Sequence, residues 1–285
     1  MAEQASASVR PYVLAGVMGW PVAHSRSPLI HGHWIAERGL RGAYVQLPVR
    51  PEDLGDALRS LPKLGFAGCN LTIPHKVAAL TLVDRVEPLA QRIGAVNTVV
   101  VEADGSLTGK NTDAYGFLQS LREGQPGWQP AAGPALIVGA GGAARAVVAA
   151  LLDAGVPEIR LCNRSIDKAH AIAQDFGAQV QVLPWEQRTQ ALSDIALLVN
   201  TTNQGMHGQS ALDLALEGLA PQAVVCDIVY VPRLTPLLAE ALARGNPVVF
   251  GLGMLIHQAR PAFEAWFGVL PEASAALLDA VQATL

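Results

Sequence analysis

The chain has 285 residues, of which 51% are hydrophobic and 15% charged, with a formal net charge of −4. A charged fraction well under the roughly 25% usual in soluble domains leaves much of the sequence for an apolar core and excludes a disordered chain. The slightly acidic balance argues against nucleic acid as a partner, because phosphate binding needs clustered Lys and Arg, and 3 Cys cannot staple a disulfide scaffold.

The length suits one or two domains. Residues 1–10 lack the basic start and apolar run of a signal peptide. No apolar stretch reaches the ~18 residues that a membrane span needs. The nearest candidate, 134–152, is broken by Arg145 and by glycines. Cys69, Cys162 and Cys226 read as buried, reduced thiols, so a cytoplasmic location is expected, with no membrane partner.

In chain order, a short apolar run at 12–18 predicts a strand. A helix follows over 28–38, stopped by Gly39. A strand at 43–49 leads to a helix over 51–61 with Pro51 in its first turn. A third strand at 66–70 is followed by a helix from about Pro74. Strands at 95–102 and 106–109 are split by the turn Asp104-Gly105. Residues 122–134 hold three prolines and three glycines, the composition of a surface connection. A second series then begins, with strands at 135–138, 158–162, 179–183, 197–200, 223–228 and 247–250. The segment 254–285 is largely helical in pattern. Alternating strands and helices predict an α/β protein with mostly parallel sheets. The expected architecture is two α/β domains with a cleft between them, 1–113 plus 252–285 for substrate and 114–251 for a dinucleotide.

The strand at 135–138 runs directly into Gly139-Ala140-Gly141-Gly142-Ala143-Ala144. This is G-x-G-x-x-G/A after a strand and before a helix. The first Gly allows the tight turn, the second lets backbone approach a pyrophosphate, and a small third residue packs helix on strand. N–H groups at the helix start then face the phosphates. The next strand selects the cofactor. An NAD site usually places Asp or Glu there for the ribose 2′-hydroxyl. Here the strand ends Cys162-Asn163-Arg164-Ser165, with Lys168 close behind. A guanidinium can hold a 2′-phosphate bidentately, which predicts NADP; the bland alternative is that Arg164 is a solvated loop residue.

Four further clusters are unusually polar; three follow expected strands, and the one with Asn97 opens a strand instead. They are Gly19 to His31, containing His24-Ser25-Arg26-Ser27-Pro28; Asn70-Leu71-Thr72-Ile73-Pro74-His75-Lys76; Gly94-Ala95-Val96-Asn97-Thr98; and Gly109-Lys110-Asn111-Thr112-Asp113. Open α/β sheets bind ligands at such strand ends. The hydroxyls, amides, ammonium and carboxylate suit a small polyhydroxylated substrate. Several alternatives attach to these residues. Ser25 and Ser27 could cap the helix near Pro28 as well as bind a ligand. Asp113 could be a helix N-cap. Lys76, in the first turn of the helix expected from Pro74, sits where a cation is disfavoured, which asks for a functional reason. His31 and His33, two apart on a helix, point to opposite faces, so no metal site is expected with His24 or His75. His207 and His257 are expected as solvent or packing residues near the cofactor cleft.

Taken together and in this order, these motifs resemble the shikimate dehydrogenase family over nearly the whole chain, from about Val13 to Trp266. The resemblance includes Asn-Arg-Ser at 163–165 and Gly251-Leu252-Gly253-Met254-Leu255-Ile256-His257-Gln258. It implies NADP-linked interconversion of shikimate and 3-dehydroshikimate on the route to chorismate and aromatic amino acids. It also implies that Ser25 and Ser27 hold the substrate carboxylate. Thr72, Asn97, Asp113 and Gln258 would bind ring hydroxyls or the reacting oxygen, and Tyr230 would face the substrate. Lys76 and Asp113 would form the catalytic pair. Gly139 to Ala143, Asn163 to Lys168, Thr201 in the loop 200–206, Ile228 and Gly251 would bind the cofactor.

The chemistry fits that pair. A lysine beside a carboxylate can exchange the hydroxyl proton and stabilise charge developing on oxygen, while the nicotinamide carries the redox step. Which of the two takes the proton stays open in the sequence. Gly32, Ala114 and Asn203 depart from the family's usual Asn, Gly and Ser, which bears on fine specificity rather than on the pair. Two rivals remain: a quinate/shikimate dehydrogenase or an enzyme for an amino analogue, and a nonenzymatic NADPH-binding regulator. The expected assembly is a monomer or homodimer.

Overall fold

The computed structural model describes residues 11–285; the absence of a leader expected over residues 1–10 lies outside them. The first half contains β1 (Val13–Gly19), α1 (Ser27–Glu37), β2 (Gly42–Pro48), α2 (Leu54–Ser60), β3 (Phe66–Leu71), β4 (Arg85–Val86), α3 (Pro88–Ile93), β5 (Thr98–Val101) and β6 (Leu107–Lys110). Its strands form one sheet in the order β2-β1-β3-β5-β6-β4. β1 lies parallel to β2 and β3, and β4 parallel to β6, while β5 runs antiparallel to β3 and β6. β1 sits inside the sheet, and its last five residues are buried, as expected for an apolar run covered on both faces.

α4 (Asp113–Gly124) leads out of this sheet. The second half contains β7 (Ala135–Val138), α5 (Gly142–Ala154), β8 (Ile159–Cys162), α6 (Ile166–Phe176), β9 (Val180–Leu183), β10 (Leu197–Asn200), β11 (Val224–Asp227), α7 (Pro236–Ala243) and β12 (Val248–Val249). This sheet is entirely parallel, in the order β12-β11-β10-β7-β8-β9. Chain direction across the sheet reverses between β7 and β10, which opens a crevice at their carboxyl ends where dinucleotide folds bind ligand. All four residues of β7 are fully buried, and α5 buries seven of its residues, so the turn joining them is held from both sides.

The chain finally returns to the first sheet. α8 (Gly251–Phe267) and α9 (Ala275–Gln282) bury Ile256, Phe263, Trp266, Leu277 and Val281 against Val17, Ile30, Trp34 and Tyr44. α4 and α8 cross closely at Gly116, where an added Cβ would lie 2.6 Å from the Cβ of Gln258. The absent side chain at 116 therefore sets Gln258 beside the helix that begins at Asp113. Among the described residues no helix is long and apolar enough to cross a membrane.

Several sequence expectations need correction. No α-helix starts at Pro74. Residues 74–77 form turns, and only a 3₁₀ segment, Ala78–Thr81, follows. The reason is local: the Lys76 carbonyl accepts from the Val96 N–H at 2.8 Å, so it is not free to start a helical ladder. The helix-start argument for Lys76 therefore fails. The strand expected from 95 begins at Thr98, because the N–H groups of Ala95, Val96 and Asn97 go to Ala90, Lys76 and Lys110. The helix expected over 51–61 opens as a 3₁₀ turn, Pro51–Asp53. β4 and α3 were not anticipated, although Pro88 and Gly94 mark the ends of α3. α4 runs to Gly124, so the connection expected over 122–134 starts later, at Gln125.

Candidate active site

A cavity of about 350 Å³ opens between the two sheets. From the first half it is lined by Ser25, Arg26, Ser27, Asn70, Thr72, Lys76 and Asp113, and from the second by Ala143, Ile228, Tyr230 and Gly251, with Met254, Leu255 and Gln258 on α8. Residues far apart in the chain thus meet because β1, β3 and β6 end at one edge of their sheet and face the ends of β7 and β11.

At its centre, Lys76 Nζ donates to Asp113 Oδ2 at 2.6 Å. The Lys76 side chain is 29% exposed and the Asp113 side chain 9%, so the ammonium reaches the cavity while the carboxylate is mostly enclosed. Asp113 is the first residue of α4, not its N-cap; Asn111 Oδ1 accepts its backbone N–H at 2.9 Å. That bond satisfies the helix start and leaves the Asp113 carboxylate available to other donors. Asn97 Nδ2 supplies one of them, 2.8 Å from Oδ1, and lies 3.4 Å from Gln258 Oε1. Asn97 itself is buried beneath the cavity.

Ser25 and Ser27 both line the cavity at the start of α1. The N-cap residue is Arg26, whose side chain makes no cap bond, and Ser25 Oγ accepts from the Ser27 N–H at 3.3 Å, so Ser25 satisfies the first N–H of the helix and is tied to Ser27. Arg26, between them, donates to the Thr284 carbonyl at 2.5 Å and to the His24 carbonyl at 3.3 Å. Tyr230 is mostly buried, and burial pushes its hydroxyl above the usual phenol range against the pull of nearby Arg26.

On the dinucleotide side, Gly139 has φ of +112°, a left-handed conformation that glycine adopts freely. A Cβ there would lie 2.5 Å from Thr201 Oγ1, and that hydroxyl donates to the Val138 carbonyl at 2.8 Å. Ala140 completes the turn. Built Cβ atoms on Gly141 and Gly142 meet no heavy atom within 4 Å. Open space therefore stands over the start of the 13-residue helix α5, where unpaired N–H groups favour phosphate. At the end of β8, Asn163 Nδ2 donates to the Ser165 carbonyl at 2.8 Å, and Arg164 and Lys168 are exposed. This arrangement fits a phosphorylated dinucleotide. Gly251 packs on the backbone of Ile228, its built Cβ only 2.5 Å from that carbonyl, so both cofactor-side residues sit at one point.

Some contributors were missed. Arg26 and Asn70 stood inside quoted motifs without a role. Asp227 closes β11 and accepts from Asn200 Nδ2 at 3.0 Å, the Val229 N–H at 3.0 Å and Thr235 Oγ1 at 2.7 Å. It thereby fixes the segment that carries Ile228 and Tyr230. Burial pushes its carboxyl up to about 6, opposed by those three donors. The signal was present, a carboxylate ending a strand just before Tyr230. His31 is fully buried and stacks on Tyr44, with burial lowering its imidazole to about 3. His257 is buried on α8, its Nε2 2.7 Å from Glu123 Oε2, while His207 is exposed. The three cysteines are free and buried, and burial pushes the Cys162 thiol up to about 12. Among the described residues no group of three or more His, Cys, Asp or Glu is placed to hold a metal.

Family models match three stretches of the chain: the shikimate dehydrogenase substrate binding domain over residues 17–99, shikimate / quinate 5-dehydrogenase over 129–233, and the shikimate 5′-dehydrogenase C-terminal domain over 251–277. A shikimate dehydrogenase (NADP(+)) of Paramagnetospirillum magneticum is 61% identical over 261 residues, covering 92% of this chain and 95% of that protein. The structure of a Thermus thermophilus shikimate 5-dehydrogenase with NADP(H) and shikimate is 41% identical, with a TM-score of 0.86 over 96% of this chain and 100% of that one. A Corynebacterium glutamicum quinate dehydrogenase with NAD is 31% identical, with a TM-score of 0.89 over 95% of this chain and 99% of that one. With motifs, two-sheet architecture and cleft in agreement, this chain belongs to the shikimate dehydrogenase family.

Proposed function

We propose that the chain catalyses the reversible, NADPH-dependent reduction of 3-dehydroshikimate to shikimate, with Lys76 and Asp113 as the proton-transfer pair. The observation that carries this reading is the 2.6 Å Lys76–Asp113 contact in a cavity shared by Ser25 and Ser27 on one side and Ala143, Ile228 and Gly251 on the other. The relatives' NADP and shikimate support the same assignment. In this reading residues 1–113 with 252–285 bind substrate and 114–251 bind NADP.

NADP(H), when bound, would supply the hydride chemistry of the reaction. The Gly139–Ala143 turn and the α5 N-terminus would hold its pyrophosphate, Thr201, Ile228 and Gly251 would flank the nicotinamide half, and Asn163, Arg164, Ser165 and Lys168 would take the 2′-phosphate. The chain's own residues handle the rest. Ser25 and Ser27 hydroxyls donate to the substrate carboxylate. Thr72, Tyr230 and Gln258 orient the ring, and Asn97, buried beneath the cavity, acts through Asp113 and Gln258. In the oxidative direction the hydroxyl proton passes to the Lys76–Asp113 pair, and in the reductive direction Lys76 Nζ returns one to the carbonyl oxygen. Its charge also stabilises negative charge on that oxygen.

Two serines at the carboxylate end favour shikimate over quinate, which carries an added tertiary hydroxyl there. All named residues come from one chain, which supports a site complete in a monomer or in each half of a homodimer. Buried, unpaired thiols support a cytoplasmic setting. The test is NADPH formation, followed by absorbance, with shikimate and with quinate, each with NADP and NAD. Preference for shikimate with NADP is expected. No shikimate-dependent NADPH formation would leave the regulator as the better reading, and a higher kcat/KM for quinate would favour the broader dehydrogenase.

A further inference from the structure

The Asn97 amide presents its NH₂ to Asp113 Oδ1. Rotated by half a turn it would present its carbonyl oxygen, repel the carboxylate and disturb the group that aims Lys76. What prevents this lies underneath, in Thr112, Thr98 and Tyr44, which do not line the cavity, and in Asn70, which reaches its wall.

Two backbone groups fix the two amides involved. The Thr112 N–H donates to Asn97 Oδ1 at 2.9 Å, which requires oxygen on that side. The Asn97 carbonyl accepts from Asn70 Nδ2 at 3.1 Å, which requires nitrogen on that side. Between the amides stands the Thr98 hydroxyl. It accepts from Asn70 Nδ2 at 3.1 Å and donates to Asn97 Oδ1 at 3.0 Å, the nearer of the two oxygens around it, Thr112 Oγ1 standing at 3.5 Å. At the far end Tyr44 Oη donates to Asn70 Oδ1 at 2.6 Å. The Tyr44 ring is held flat against His31, with centroids 3.9 Å apart and planes 2° apart. Tyr44, Asn97 and Thr98 are buried away from the cavity lining, where a hydrogen bond is electrostatically stronger than in water.

We infer that Thr98, with Asn70 and Tyr44 behind it, is a positioning residue: it locks the Asn97 amide so that Asp113 receives donors at both oxygens and Lys76 stays aimed at the reacting oxygen. The inference rests on the proposed roles of Lys76 and Asp113. Because Thr98 is fully buried and outside the cavity lining, it has no direct part in substrate binding.

Thr98→Val keeps the side-chain shape and removes the hydroxyl; Asn70 Nδ2 loses one acceptor, and Asn97 Oδ1 loses one of three donors, keeping the Thr112 N–H at 2.9 Å and the Thr112 hydroxyl at 3.2 Å. Loss of a buried bond of this kind is expected to lower kcat for shikimate oxidation roughly 10-fold, with KM for shikimate and NADP changed by less than about 3-fold. Thr98→Ser, which restores the hydroxyl, should return kcat to within about 3-fold of wild type. Thermal melting of each variant establishes that it is folded. Tyr44→Phe serves if Thr98→Val does not fold; it keeps the stacked ring and should lower kcat about 3-fold or more.

A folded Thr98→Val enzyme with wild-type kcat overturns the inference, as does a loss that falls on KM or that Thr98→Ser fails to restore. If Thr98→Val does not fold, wild-type kcat in Tyr44→Phe overturns it. Wild type and Lys76→Ala run beside these variants. A wild type that turns over no shikimate brings down the functional reading and the inference together. An active wild type with an inactive Lys76→Ala and an unchanged Thr98→Val brings down the inference alone.

Discussion

Lys76 and Asp113 stand 37 positions apart in the chain and 2.6 Å apart in the fold. In the proposed mechanism the ammonium touches the reacting oxygen, so Lys76→Ala should lower kcat by on the order of 10²–10⁴, with a smaller change in shikimate KM. Steady-state kinetics at fixed NADP checks this, and a wild-type kcat would remove Lys76 from the mechanism. On the cofactor side, Arg164→Ala should raise the KM for NADP and leave that for NAD little altered, because only NADP offers the 2′-phosphate. The glycine turn at the start of α5 was readable from the sequence because Gly139, Gly141 and Gly142 lie within one turn and their spacing carries their geometry. The substrate side was readable as residue types in ordered motifs, but the contacts among them were not. Nothing in the spacing of Asn97, Asp113 and Gln258 says that one amide bridges the other two; that depends on how α4 crosses α8.

Among the elements, α8 begins at a point of contact with no spare room. A Cβ on Gly251 would lie 2.5 Å from the carbonyls of both Ile228 and Val229. Gly251→Ala must therefore move the start of α8 or the strand-end segment beneath it, at a cost of roughly 1–3 kcal/mol. The expected result is a lower Tm together with raised KM values for NADP and shikimate, since Gln258 rides on the same helix; an unchanged melt would show that the backbone yields freely. Buried strands and helices such as β1, β7 and α5 announce themselves by apolar runs and by glycine at their ends. The segment after Pro74 does not. Its backbone is captured by distant partners, the Lys76 carbonyl by Val96 and the His75 ring by the Val49 carbonyl at 2.9 Å. Long-range bonds of that kind leave no local pattern in the sequence.

For the molecule as a whole, two buried groups set opposing pH dependences. The His31 imidazole is lowered from 6.5 to about 3, so its contribution to stability is present above pH 6.5 and is lost as pH falls towards 3. The Asp227 carboxyl is raised from 3.8 to about 6, so its contribution is full below pH 3.8 and is lost as pH rises through 6. Between about pH 4 and 6 the two slopes oppose each other, each about 1.4 kcal/mol per pH unit at most. Denaturant unfolding should therefore show His31→Phe gaining on wild type as pH falls from 6.5, and Asp227→Asn losing ground to wild type from pH 6 to 4. Parallel curves for wild type and variant would mean that the group titrates alike in the folded and unfolded chains.

The last helices also govern the order in which the molecule can be assembled during synthesis. Phe263, Trp266, Leu277 and Val281 cover Trp34, Ile30 and Val17, yet they leave the ribosome after the entire second sheet. The second sheet holds its own buried clusters and can condense while translation continues, whereas the earlier-made sheet keeps a greasy flank bare until the final turns emerge. The portion translated first is thus completed last, and a nascent chain stalled before residue 251 should present that flank to chaperones.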